Sequence, residues 1–196
     1  MVERGRYQGL AATGQSPSIM VIGCVDSRVS PEVIFDAAPG ELLVARNVAN
    51  IVPRYEPPTT PENDISHQHG TSAALEFAVR ILEVPDILVM GHGLCGGVRA
   101  LLDGAAAEAT DFIGSWIEIA APARARALAR TNPQDLQLRC EQETILLSLE
   151  NLTTFPWIAS RLAAGKLRLF GAHFDIRSGE LSVLDERGTF GTVPPV

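Results

Sequence analysis

The sequence is short of three things. It holds only three cysteines, Cys24, Cys95 and Cys140, too few and too far apart for a disulfide framework. No apolar run approaches the ~18 residues needed to cross a bilayer, and the residues from Met1 to Tyr7 carry no apolar segment of the secretory kind. It also lacks positive charge. Sixteen Lys and Arg stand against 23 Asp and Glu, a net charge of -7, which is the wrong sign for gathering phosphate backbones or anionic lipid. These absences point away from a secreted scaffold, a membrane protein and a nucleic-acid binder, and the expectation is a cytoplasmic protein. What is present is apolar material: 196 residues at 46% hydrophobic and 20% charged suffice for one packed domain spanning residues 1–196.

Four short apolar runs, 18–24, 41–46, 86–91 and 166–171, are bounded by Gly, Pro or Asp and have the length of buried strands. Helical patterns lie between them. Ser30-Pro31-Glu32 is an N-cap, an N1 proline and an acidic first turn, and residues 72–84 carry Leu75, Ala78, Val79 and Leu82 on one face. Asn132-Pro133 opens a further helix with Leu136, Cys140, Ile145 and Leu149, and Pro156 interrupts the stretch 151–162. Alternating strand and helix predict an α/β fold with a mainly parallel central β-sheet flanked by helices, because parallel strands need crossovers that cover both faces. Active sites in such sheets lie at the strands' carboxyl ends. The biased stretch 52–70, with four prolines and with His67 and His69, reads as an extended surface loop. Its histidines are either solvated or a proton shuttle.

Two strand ends carry chemistry. The first strand runs into Cys24-Val25-Asp26-Ser27-Arg28, and in extended backbone Cys24, Asp26 and Arg28 would share one side. Burying Asp and Arg costs several kcal/mol unless they pair, so an Asp26–Arg28 ion pair is expected; a plain surface turn beside a buried cysteine is the alternative. The third strand ends in Gly91-His92-Gly93-Leu94-Cys95-Gly96-Gly97. His92 and Cys95, three apart in a glycine-rich turn, have a common metal-ligand spacing, and a cysteine at a helix start gains thiolate character. Together with Cys24 they form a Cys2His set suited to tetrahedral zinc, with Asp26 or a water completing a closed or an open site. Gly91-x-Gly93-x-x-Gly96 also matches a dinucleotide fingerprint, but His92 and Cys95 fill its variable positions and Asp111 begins a helix-like run rather than ending a strand. A cysteine phosphatase is excluded because only three residues separate Cys24 from Arg28, too few to cradle a phosphate. Cys140 shares a helical stripe with Leu136 and reads as a core thiol rather than a fourth ligand.

With Cys24-x-Asp26-x-Arg28 and His92-x-x-Cys95 in place, the chain resembles the β-class carbonic anhydrases. The resemblance continues through Ala45-Arg46-Asn47-Val48-Ala49-Asn50, through 73–79 and 91–97, and less sharply through Cys140-Glu141 and 151–171. It implies reversible CO2 hydration by zinc-bound hydroxide, with one Zn2+ per chain held by Cys24, His92 and Cys95. It implies that Asp26, paired with Arg28, orients the attacking water. It also implies that Gln15 reaches toward bicarbonate and that Leu43, Val48, Phe77 and Gly93 contact substrate in an apolar cleft built at a dimer interface, so a homodimer or larger homo-oligomer is expected. Where the family carries a helical arm, only fourteen residues precede Gln15, so a short or missing arm is expected. Leu43 stands in place of an aromatic cleft residue. Val21 replaces a tryptophan used in a closed, Asp-ligated state, which predicts an open site at neutral pH. A zinc hydrolase of a CO2 analogue such as carbonyl sulfide or carbon disulfide, and a non-catalytic zinc protein, are the alternatives.

Overall fold

The structure is a computed structural model, and it describes residues 4–57, 70–105, 111–130 and 132–193. The segment bearing His67 and His69 lies outside the described residues. The four apolar runs form β1 (Ile19–Cys24), β2 (Leu42–Asn47), β3 (Asp86–His92) and β4 (Arg168–Asp175), all parallel. A hairpin of β5 (Glu180–Leu184) and β6 (Phe190–Thr192) joins the β4 edge antiparallel, giving the order β2-β1-β3-β4-β5-β6. The α/β fold is therefore as expected. The hairpin has no counterpart in the sequence pattern, because its strands are short and nowhere fully buried.

Eight α-helices are described: α1 (Arg4–Thr13), α2 (Pro31–Ile34), α3 (Gly70–Glu76), α4 (Gly96–Asp103), α5 (Ile113–Glu118), α6 (Ala121–Arg130), α7 (Leu136–Leu152) and α8 (Pro156–Ala163). Ser30 is the N-cap of α2, yet its hydroxyl donates to the Glu32 carboxylate at 2.8 Å rather than serving the backbone, and the helix is a single turn. After α3 the chain passes directly into a π-helical turn, Phe77–Ile81, which ends three residues short of the predicted limit. Pro156 sits in the first turn of α8 and separates it from α7. Ahead of Gln15 lies α1. It is tied to the loop before β2 by Arg6, which donates to Glu41 at 2.9 Å, and by Leu10, packed where a side chain at Gly40 would otherwise stand.

Alternation along the strands sorts the core. Met20, Ile22, Ile87 and Val89 face Leu75, Val79, Ile145, Leu152 and Ile158, all buried beneath α3, α7 and α8. Val21, Leu88, Met90 and Ala172 fill the opposite face with Ile34 and Phe35. A further cluster gathers Cys24, Cys95, Val98, Leu101, Ile117, Ala123 and Cys140 beyond the strand ends, joining α4, α5, α6 and α7. Full burial of one such aliphatic side chain contributes about 1.5–3 kcal/mol, so this cluster is what draws the helices over the ends of β1 and β3.

Two glycines set how closely they approach. A Cβ at Gly91 would lie 2.7 Å from Ile145 Cδ1, so its absence lets α7 settle onto β3. In α4, a Cβ at Gly97 would lie 2.7 Å from Val48 Cγ1 and 3.0 Å from the Ala49 Cβ. Alanine is ordinarily favoured over glycine inside a helix by about 1 kcal/mol, but overpacking costs about 1–3 kcal/mol. Gly97→Ala is therefore expected to lower the urea midpoint of unfolding. A raised midpoint would show that the Val48–Ala49 turn yields freely.

Candidate metal centre

The sheet order reverses at β1, whose two neighbours are β2 on one side and β3 on the other. The crevice at such a switch point is where α/β sheets place their sites. Cys24 is the last residue of β1 and His92 the last of β3; Cys95 comes next, as the N-cap of α4. All three are buried, and their ligating atoms lie within 4.8 Å of one another. The two sulfurs are 3.9 Å apart, close to the edge of a tetrahedron built on Zn–S bonds of about 2.3 Å.

His92 shows which atom is free. Its Nδ1 lies 2.9 Å from the Gly93 carbonyl, which fixes the proton on that nitrogen. Its Nε2 is buried without a hydrogen-bond partner among the described residues. A lone pair buried beside two thiols is costly unless a cation takes it, so the residues present fit zinc. The thiols are unequal. The hydrogen bond from Cys95 is the largest influence on Cys24 and holds it down at about 4, outweighing burial. The same bond, with burial, pushes Cys95 up. Burial pulls His92 down, but the neighbouring Cys24 carries it above its ordinary value.

Asp26 lies just beyond β1. Arg28 grips it with both ends of its guanidinium: Nε donates to Oδ1 at 2.8 Å and Nη2 to Oδ2 at 2.6 Å, while the Arg28 backbone N–H also donates to Oδ1. The expected ion pair is present. It forms through a turn at Ser27–Arg28 rather than through strand alternation, because β1 stops at Cys24. The Arg28 hydrogen bond holds the Asp26 carboxyl far below the usual carboxylate range. Asp26 Oδ2 stands 3.9 Å from His92 Nε2.

The other expected residues are scattered. Val48 lines a groove of about 820 Å³ shared with Val25, Val44, Ala74, Ile113 and Trp116. Leu43 is on the Met20 face and packs into the main core, one residue out of step with groove-lining Val44. Gly93 is buried and donates its N–H to the Phe174 carbonyl at 2.9 Å. Gln15 lies just after α1 as an exposed residue, and Phe77 is 41% exposed at the start of the π-helical turn. Neither lines the groove of its own chain. Cys140 is fully buried among apolar neighbours, and burial pushes its thiol up to about 11, as befits a core residue.

Several supporting residues were not legible as such. Arg46 donates through Nε to the Cys24 carbonyl at 2.7 Å and through Nη2 to the Asp26 carbonyl at 2.6 Å, pinning the loop that carries both. Asn47 braces the Val48–Asn50 turn through both backbone groups of Ile51. Buried Glu141 and His173 and half-buried Gln137 form a cluster behind Cys95. Arg46, Asn47 and Glu141 fall in segments of family resemblance, but no spacing rule links them to the ligands.

Comparison with known proteins agrees with this geometry. The carbonic anhydrase family profile matches residues 19–181. The chain is 38% identical over 181 residues to beta carbonic anhydrase 3 of Arabidopsis thaliana, covering 88% of this chain and 66% of that relative's length. Among solved structures it superposes on the β-carbonic anhydrase CcaA with a TM-score of 0.86 at 34% identity, over 97% of this chain and 90% of the other. On a tetrameric β-carbonic anhydrase of Sordaria macrospora the TM-score is 0.75 at 29% identity, over 96% and 89%. With the sheet order, the buried Cys2His set and these likenesses in agreement, the chain belongs to the β-carbonic anhydrase family, whose cofactor is zinc.

Proposed function

We propose that the protein is a zinc-dependent carbonic anhydrase catalysing the reversible hydration of CO2 to bicarbonate and a proton. The observation that carries this reading is the buried set of Cys24, His92 and Cys95 beside an ion-paired carboxylate. The matching relatives are described as carbonic anhydrases, which favours CO2 over carbonyl sulfide or carbon disulfide. When bound, zinc supplies the Lewis acidity that makes water a nucleophile near neutral pH.

The chain's own residues do the rest. Cys24, His92 Nε2 and Cys95 are the ligands. Asp26, ionised across the neutral range because Arg28 holds it so, accepts a hydrogen bond from the attacking water at Oδ2 and orients its lone pair. The bidentate grip of Arg28 engages both carboxylate oxygens and leaves Asp26 outside the ligand set, which supports an open fourth position. Val48 and its apolar neighbours line a groove that shares Arg46 with the loop carrying Asp26, and they offer CO2 an apolar wall there.

Gln15 and Phe77 enter this scheme from a second copy of the chain, so the working form is a homodimer or a larger homo-oligomer. The exposure of Phe112 at 82% and Ile81 at 66% supports an unpaired apolar surface awaiting such a neighbour. No described helix is long and apolar enough to cross a membrane. A cytoplasmic location completes the reading, supported by cysteines too few and too far apart for a disulfide framework.

Stopped-flow CO2 hydration on protein carrying one zinc per chain is expected to be fast and to rise with pH; no hydration at full zinc occupancy would overturn the assignment. Asp26→Asn should keep zinc and lose turnover by about 10²-fold or more, whereas Cys24→Ala should lose the metal itself, read by elemental analysis. Light scattering should give at least twice the 21.0 kDa chain mass, and a monomer at assay concentration would contradict the shared cleft. Because Asp26 is depressed in the folded state, its ionised form stabilises the fold above the unfolded value of about 3.9, and that contribution fades as pH falls below it. In metal-free protein the urea-midpoint gap between wild type and Asp26→Asn should be widest at neutral pH and narrow on acidification. A widening gap would show that Arg28 does not hold the carboxylate.

A further inference from the structure

Cys95 occupies a turn that local preferences do not hold. Leu94, just before it, has φ 56°, a left-handed conformation that costs a non-glycine residue roughly 1–3 kcal/mol. Cys95 then starts α4 as an N-cap whose side chain makes no capping hydrogen bond. What grips the turn is α7. Gln137 and Glu141 are one helical turn apart and face it together. The Cys95 N–H donates to Glu141 Oε1 at 3.0 Å, and Gln137 Nε2 donates to the Cys95 carbonyl at 3.2 Å and to Glu141 Oε1 at 2.7 Å. On its far side Glu141 Oε2 meets His173 Nε2, from β4, at 3.0 Å. Glu141 and His173 are 3% and 4% exposed.

One face of α7 thus takes the Cys95 N–H and adds a second hydrogen bond to its carbonyl, which also accepts the Arg99 N–H of α4 at 2.9 Å. A carboxylate this deeply buried costs several kcal/mol before it is paired, and apolar residues of similar volume often serve stability as well or better. Packing alone does not account for it. Its hydrogen bonds end on the backbone of a metal ligand and on the side chains that clamp it, while its own oxygens stay outside the ligand set.

We propose that Glu141 is a positioning residue for the metal centre: clamped by His173 and Gln137, it holds the Cys95 turn so that Sγ stays at ligating distance from Cys24 Sγ and His92 Nε2. The proposal rests on the zinc reading of this site. It gives Glu141, His173 and Gln137 a task distinct from that of Asp26 and Arg28, which act at the open side of the centre.

The test is zinc affinity of the full chain, measured by competition with a chromophoric chelator, together with the visible spectrum of the cobalt(II)-substituted protein. Glu141→Leu should retain its far-UV circular dichroism, weaken zinc binding by ~10- to 100-fold and shift the cobalt bands. Glu141→Gln should recover most of the affinity, because an amide oxygen still accepts from the Cys95 N–H while its NH2 faces His173. Where Glu141→Leu fails to fold, Gln137→Met removes only the half-buried amide and should still weaken zinc and shift the bands. Wild-type affinity with wild-type bands in Glu141→Leu, or in Gln137→Met in its place, would overturn the proposal. A wild-type chain that binds zinc without hydrating CO2 would sink the assigned activity and leave the positioning role standing on the variants' metal affinities.

Discussion

The structure depends on bringing two thiols and one imidazole lone pair into a single dry pocket. Cys24 Sγ and Cys95 Sγ come within 3.9 Å, and His92 Nε2 faces them without another partner among the described residues. Left to themselves the two sulfurs hydrogen-bond to each other while the imidazole lone pair stays unsatisfied, and burial raises the cost of that. A cation with tetrahedral preference turns the same arrangement into a favourable one, which is why metal binding and local folding are coupled at such sites. The surrounding elements can be understood as the means of holding the three donors in place.

The sheet supplies the coarse placement. Because β1 and β3 are adjacent and parallel, their carboxyl ends emerge side by side, and the loops after them have to share one crevice. Fine placement comes from hydrogen bonds to backbone. Arg46 ties down the carbonyls after β1, Asn47 braces the turn after β2, and α7 holds the turn after β3. That turn includes a left-handed Leu94, and the neighbouring one includes left-handed Ala49 and Asn50. Local strain of this kind persists only when surrounding contacts over-determine it, and here Ser148 on α7 also donates to the Asn50 carbonyl at 3.1 Å.

Charge is arranged on the same plan. Cys24, held down at about 4, and Asp26 concentrate negative charge at the strand ends, and two guanidiniums are held in defined places beside them, Arg28 on the Asp26 carboxylate and Arg46 on the loop carbonyls. Arginine suits both positions because its planar fork engages two oxygens at once and cannot lose its proton. Farther in, Glu141 is answered by His173 and by N–H donors rather than by a surface cation. The negative charge nearest the centre is thus carried by groups whose orientation is fixed from behind.

The sequence by itself determined the layered α/β plan, the four parallel strands and the three donor residues that converge as a candidate metal site. Each rests on a local signal: apolar runs of strand length, turn residues between them, and chemically unusual side chains at two strand ends. The Asp26–Arg28 pair was legible too, although it closes through a turn that alternation did not foresee. Tertiary structure decided the rest. The β5–β6 hairpin is half-exposed and too short to announce itself, and Leu43 went to the core because the pleat puts it on the Met20 face. Arg46, Glu141, Gln137 and His173 reach the centre from β2, α7 and β4. Their roles are contacts across tens of residues of chain, and periodicity carries information only about neighbours within one element. Donor identity is a property of residue type and can be read along the chain, whereas donor geometry depends on which helix packs against which turn.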